Sequence, residues 1–155
     1  MVAPSEPLIF WRYIASSLDR LVGCLDDLDA ESLNWRPPAA DANSLYALTM
    51  HTLGNAEENI LDVLCGHPLA RDRAGEFAAQ GANLGVVAAR WGDLRARLET
   101  GLAELPDGGL DRTYQHPRRG PLTGREIVIV VARHAAEHLG QAELTRDLLR
   151  ASRKS

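Results

Sequence analysis

Apolar positions recur at spacings of three and four in four separate stretches of this 155-residue chain, the pattern of amphipathic helices. In the first, from about Glu6 to Leu28, Trp11, Ile14, Leu18, Leu21, Leu25 and Leu28 form one seam, with Ser5 placed to cap it. The second runs from about Asn43 to Leu64, with Leu45, Leu53, Ile60, Leu61 and Leu64 on its apolar side. The third runs from about Leu84 to Leu105 on Val87, Trp91, Leu94, Leu98 and Leu102. The fourth opens on Thr123-Gly124-Arg125-Glu126, a capping-box pattern, and continues to about Arg150.

The connections carry helix breakers. Pro37-Pro38 forbids helix through the middle of the connector from Asp29 to Asp41. The loop from Gly66 to Gly81 is longer than most connections, which suits a segment that covers a site. Pro106-Asp107-Gly108-Gly109 ends the third helix, and the stretch to Leu122 reads as loop with room for a short hairpin. Four amphipathic helices and no core strand predict an all-α four-helix bundle, a single domain over residues 1–155.

The fourth helix breaks its own pattern. Ile127, Val130, Val131, Leu148 and Leu149 mark an apolar arc, and at about 100° per residue His134, His138, Gln141 and Thr145 fall inside it. Polar side chains enter such an arc when something inside the protein needs them. Two imidazoles four residues apart on one helix face can share a metal ion. The plainer alternative is two core histidines bonded to carbonyls. In the second helix His51, Asn55, Glu58 and Asp62 form a polar stripe, which fits either a solvated face or the polar wall of a pocket.

Composition narrows the partners. Charged residues are 25% and the formal net charge is −4, so no basic patch argues for nucleic acid. The longest apolar run, Ile127 to Ala132, is far too short to span a bilayer. The N-terminus lacks a charged region, an apolar region and a cleavage site, which predicts a cytoplasmic protein without a membrane partner. There Cys24 and Cys65, which lack ligand spacing, are expected to be reduced thiols packed in the core.

Several catalytic motifs fail. His134-Ala135-Ala136-Glu137-His138 fits H-x-x-E-H, the inverted zinc-peptidase pattern, but only 17 residues follow His138, too few for the distant third ligand. Paired Glu-x-x-His motifs of di-iron bundles are missing, as are a P-loop, G-x-S-x-G and G-x-G-x-x-G. Tyr114, Arg118 and Arg119 read as surface charge, with contact to an anionic thiol as the alternative.

Three local patterns resemble one family. Trp35-Arg36-Pro37 is followed by Asn43-Ser44-Leu45 and then His51, and the fourth helix carries His134-Ala135-Ala136-Glu137-His138-Leu139-Gly140-Gln141, similar to H-x-x-x-H-x-G-Q. Together with helix number and spacing, these resemble the DinB/YfiT-like superfamily of metalloenzymes over essentially the whole chain. The resemblance implies His51, His134 and His138 as ligands of a divalent metal, often zinc or nickel, in a bundle that frequently forms a homodimer. It also implies use of a low-molecular-weight thiol such as mycothiol, bacillithiol or glutathione.

Three neutral imidazoles leave an open coordination position, as in catalytic zinc sites. A thiol bound there is deprotonated, and the thiolate is the reactive form. The expected function is therefore a metal-dependent thiol S-transferase acting on a small electrophile. Glu58 is a candidate base or supporting residue; Asn55 and Gln141 are candidates for orienting ligands or substrate. The alternatives are a hydrolase whose nucleophile is metal-bound water and a non-enzymatic metal-binding or structural bundle. By residue type, three imidazoles suit zinc, nickel, copper or iron.

Overall fold

The computed structural model describes residues 5–154. Residues 1–4 and 155, part of the expected single-domain span and of the N-terminal stretch read for a leader, lie outside the described residues. Six helices and one hairpin follow in the order α1 (Glu6–Gly23), α2 (Ala30–Asn34), α3 (Leu45–Ala56) with a π-helical continuation (Glu57–Leu64), α4 (Arg73–Ala78), α5 (Gly85–Ala103), β1 (Thr113–His116), β2 (Gly120–Thr123) and α6 (Gly124–Ser152).

The four long elements form the bundle. α1 packs on α5 and α6, and α3 with its π continuation closes the ring against the same two helices. The predicted stripes are its core: Ile14, Leu18, Leu21 and Leu25 are fully buried, as are Leu45, Leu53, Ile60, Val87, Leu98 and Leu102. The fold is all-α apart from the two-stranded hairpin, whose register pairs Thr113 with Thr123 and His116 with Gly120.

Local chemistry explains the ends. Thr123 accepts from the Glu126 amide while the Glu126 carboxylate accepts from the Thr123 amide, so the capping box predicted for α6 is formed. Ser5 sits at the N-cap of α1 but makes no side-chain cap bond. Pro7 in the first turn has no N–H to offer it. α1 is shorter than its seam suggested: it stops at Gly23, and turns carry Leu25 into the core. The Asp29–Asp41 connector holds a helical turn that its prolines did not announce, capped by Asp29 ahead of Pro37.

Past Ala56 the α ladder widens into π geometry, closed by a Cys65 amide bonded to the Ile60 carbonyl at 2.9 Å. The Asn59 side-chain amide donates to the Asn55 carbonyl at 2.9 Å, the acceptor that the Asn59 backbone would use in an α-helix. Cys24 is buried, Cys65 half-buried, and both are free thiols against the core.

Candidate metal centre

α3 and α6 lie side by side, and the facing positions carry His51 on one and His134 and His138 on the other. One turn separates His134 from His138, so both rings project over the same stretch of helix. The Nε2 atoms of His51 and His134 are 3.1 Å apart, as are those of His134 and His138. The three ligand atoms all lie within 4.8 Å of one another. Nitrogens held about 2.0–2.1 Å from a tetrahedral zinc ion stand about 3.3 Å apart, so this spacing fits one shared cation.

The far side of two rings fixes which nitrogen is free. His138 Nδ1 donates to Gln141 Oε1 at 2.7 Å, which leaves a lone pair on Nε2. His51 Nδ1 lies 3.1 Å from Glu76 Oε2 and 3.2 Å from Arg71 Nη2. The Arg71 hydrogens have acceptors in Glu76 Oε2 at 2.8 Å and the His51 carbonyl at 3.3 Å, so His51 Nδ1 donates to the carboxylate and its Nε2 is free. Burial, with the neighbouring imidazoles, pushes His134 down to about 3, and burial also lowers His138. Both are therefore neutral at pH 7, the state a metal needs. His134 Nδ1 is buried and has no partner among the described residues. Two inward lone pairs converge on the third imidazole nitrogen, where one shared cation serves all three and a single His134 N–H would have to be divided between two acceptors.

Behind His51 is a buried charge network. Arg71, its side chain only 5% exposed, bridges Glu76 and Glu58. Arg118, from the turn of the hairpin, binds both Glu58 oxygens. Burial alone would raise the Glu58 carboxyl, but Arg118 and Arg71 outweigh it and hold the group below its ordinary value. Glu58 is therefore an ionised partner for two guanidinium groups and poorly equipped to take up a proton. Glu76 is lowered in the same way, burial being outweighed by His51 and Arg71.

The histidines form the floor of a cleft of about 570 Å³. Its walls include Pro37, Leu48, Phe77, Leu144 and Leu148, with Arg73 and Asp41 also lining it. Phe77 stacks on His51 with ring centroids 4.2 Å apart. Bonds from Arg36 to the Phe77 carbonyl and between Asn34 and Gly81 tie the covering segment down.

The structure brings His51, His134, His138 and Gln141 together and places several other residues differently from the sequence reading. The His51 stripe is turned inward: His51, Asn55 and Glu58 are buried and Asp62 is half-buried, and of the four His51 alone lines the cleft. The buried face of α6 runs through Val128, Val131, Ala135, Leu139, Ala142 and Leu149. His134 and His138 are half-buried at its edge, and Leu148, counted with the core, is 44% exposed on the cleft wall. Asn55 does not line the cleft, and its buried Oδ1 has no partner among the described residues. Glu137 is exposed and faces Arg133 at 3.5 Å, outside the histidine group, which disposes of the peptidase pattern. His67 is exposed, and His116 is buried outside the group. Tyr114 bonds the Gly109 carbonyl instead of reaching the site. Arg71, Glu76 and Phe77 were not singled out in the sequence; the length of the loop that carries them was the one signal.

The family model of the DinB superfamily matches residues 13–142. The chain belongs to the DinB superfamily. Among solved structures, it is similar to one described as the crystal structure of the conserved protein of locus from Enterococcus faecalis. The two share 16% identity and a TM-score of 0.76, covering 96% of this chain and 99% of that one. At that identity the likeness shows the fold. No curated protein matches the sequence. Among the described residues, no helix of this DinB-like bundle is long and apolar enough to cross a membrane.

Proposed function

We propose that the chain binds a divalent metal ion, zinc or nickel, through His51, His134 and His138, and uses it to transfer a low-molecular-weight thiol to an electrophilic small molecule. The observation that carries the reading is the position of the three histidines: their Nε2 atoms meet at the floor of an open cleft. Among the described residues no further His, Cys, Asp or Glu joins the group, which is the ligand count of catalytic and not of closed structural sites. A divalent ion held there supplies Lewis acidity that turns a thiol into its thiolate at neutral pH.

The chain's own residues do the rest. Gln141 holds the His138 ring in the tautomer that turns Nε2 inward. Leu48, Phe77, Leu144 and Leu148 give the cleft apolar walls that take up an organic substrate and exclude water from the nucleophile. Glu58 keeps Arg71 in place and acts on the site through it.

The test is consumption of a chromogenic haloarene by metal-loaded protein with mycothiol, bacillithiol or glutathione. Thiol-dependent turnover above the uncatalysed rate, lost in His134→Ala, is expected. No acceleration with any of the three thiols overturns the transferase reading. Turnover of an activated ester or amide without thiol moves the site to hydrolysis.

A further inference from the structure

We infer that Glu76 is a positioning residue for His51, and that Gly54 is the notch in α3 through which its carboxylate reaches the ring. The inference rests on the metal-site reading above. Glu76 lies on α4, a six-residue helix capped by Asp72 whose side chain accepts from the Gly75 amide. It is 8% exposed, and its Oε2 meets His51 Nδ1 at 3.1 Å.

Arg71 grips the same carboxylate by both oxygens, Nε on Oε1 and Nη2 on Oε2, each at 2.8 Å. This two-pronged contact leaves the carboxylate one orientation. The remaining reach of Arg71, to Glu58 at 3.0 Å and to the His51 carbonyl at 3.3 Å, ties the clamp to the helix that carries the ligand.

Gly54 explains how a carboxylate fits there. It lies three residues after His51, on the same face of α3. A Cβ at this position would stand 1.9 Å from Glu76 Oε1 and 2.7 Å from its Cδ. Gly54 is buried mid-helix with no positive φ to require glycine. Glycine there weakens the helix, and the space it leaves is filled by the Glu76 carboxylate.

A carboxylate that accepts the Nδ1 proton fixes the ring, selects the tautomer with Nε2 free, and makes that nitrogen a stronger ligand. The competing account is that Glu76 only docks its loop through Arg71. The two differ in what a neutral acceptor can replace. Glutamine keeps an oxygen for His51 Nδ1 but loses the ion pair with Arg71; alanine loses both.

The experiment uses the full chain with ¹⁵N-labelled histidine. The tautomer of His51 is read by NMR in the metal-free protein, and zinc affinity by competition with a chromophoric chelator. In wild type His51 is expected as the Nδ1–H form. In Glu76→Ala and Gly54→Ala it is expected as a mixture, with zinc affinity down about 10–100-fold. Glu76→Gln is expected to keep the tautomer and recover most of the affinity.

A His51 that stays Nδ1–H in Glu76→Ala overturns the inference. So does a Glu76→Gln as impaired as Glu76→Ala, which is the loop-docking result. If Gly54→Ala does not fold, the two Glu76 variants decide alone. A wild-type chain that binds no zinc sinks the metal reading and leaves the tautomer measurement to judge Glu76 separately.

Discussion

Replacing Arg71 by methionine removes the centre of the buried network while keeping most of the side-chain volume. Arg71 is 5% exposed and its partners Glu58 and Glu76 are 6% and 8% exposed at their side chains. Breaking a buried pair from one side costs about 3–5 kcal/mol, because the other charge is left without compensation. Here Glu58 keeps Arg118 and Glu76 keeps the His51 N–H, so the lower figure, about 3 kcal/mol, applies. With a urea slope of about 2 kcal/mol/M, the unfolding midpoint of metal-free protein falls by about 1.5 M.

The pH dependence carries a second sign. In wild type both carboxyls lie below their ordinary value. They therefore add stability above an unfolded-state value near 4.5, and it is lost as pH falls through the folded one. In Arg71→Met, burial is less opposed and both carboxyls rise. The variant therefore loses less than wild type as pH falls below about 4.5, and the gap between the two curves narrows there. Neutralising all three groups, with Glu58→Gln and Glu76→Gln added, recovers most of the loss. A cost under about 1 kcal/mol at pH 7, the range of solvated surface pairs, would refute the reasoning. A gap that does not change with pH would do the same.

Three further outcomes follow from single contacts. His134 is pushed down to about 3 from 6.5, so the unfolded chain takes up the proton first and metal-free stability declines from about pH 6.5 downward. His134→Gln makes that slope shallower in thermal melts and leaves the parts that His138 and His116 contribute, with the carboxylate part setting in below about pH 4.5. Glu137→Ala costs at most about 0.5 kcal/mol, the worth of an i,i+4 pair with Arg133, and leaves zinc affinity unchanged, both checked on one preparation. Thr123→Ala breaks the capping box of α6 and lowers stability by about 1 kcal/mol in urea titration.

What the sequence discloses follows from how local each signal is. Long amphipathic stretches disclose themselves: every apolar position assigned to α5 is buried, because a 3.6-residue repeat leaves one face to hide. The α6 cap is legible from two residue types three apart. The polar stripe around His51 is not legible in that way. A solvated face and a buried one have the same periodicity, and Arg71 from the following loop and Arg118 from the hairpin cover Glu58 here.

α6 shows the limit from the other side. Leu148 fits the apolar arc by angle, but the open cleft beside it leaves it half-covered, so the arc read from the sequence is wider than the face that is buried. Glu76 and Phe77 belong to a short helix without a repeat, and their contacts with His51 exist only once the chain is folded.

Metal-free protein titrated with zinc or nickel in solution, with stoichiometry by elemental analysis, tests the central claim most directly. One ion per chain is expected for wild type, and loss of that site in each of His51→Ala, His134→Ala and His138→Ala. A chain that takes up neither metal, or that holds one as tightly after any of the three substitutions, contradicts the three-histidine site.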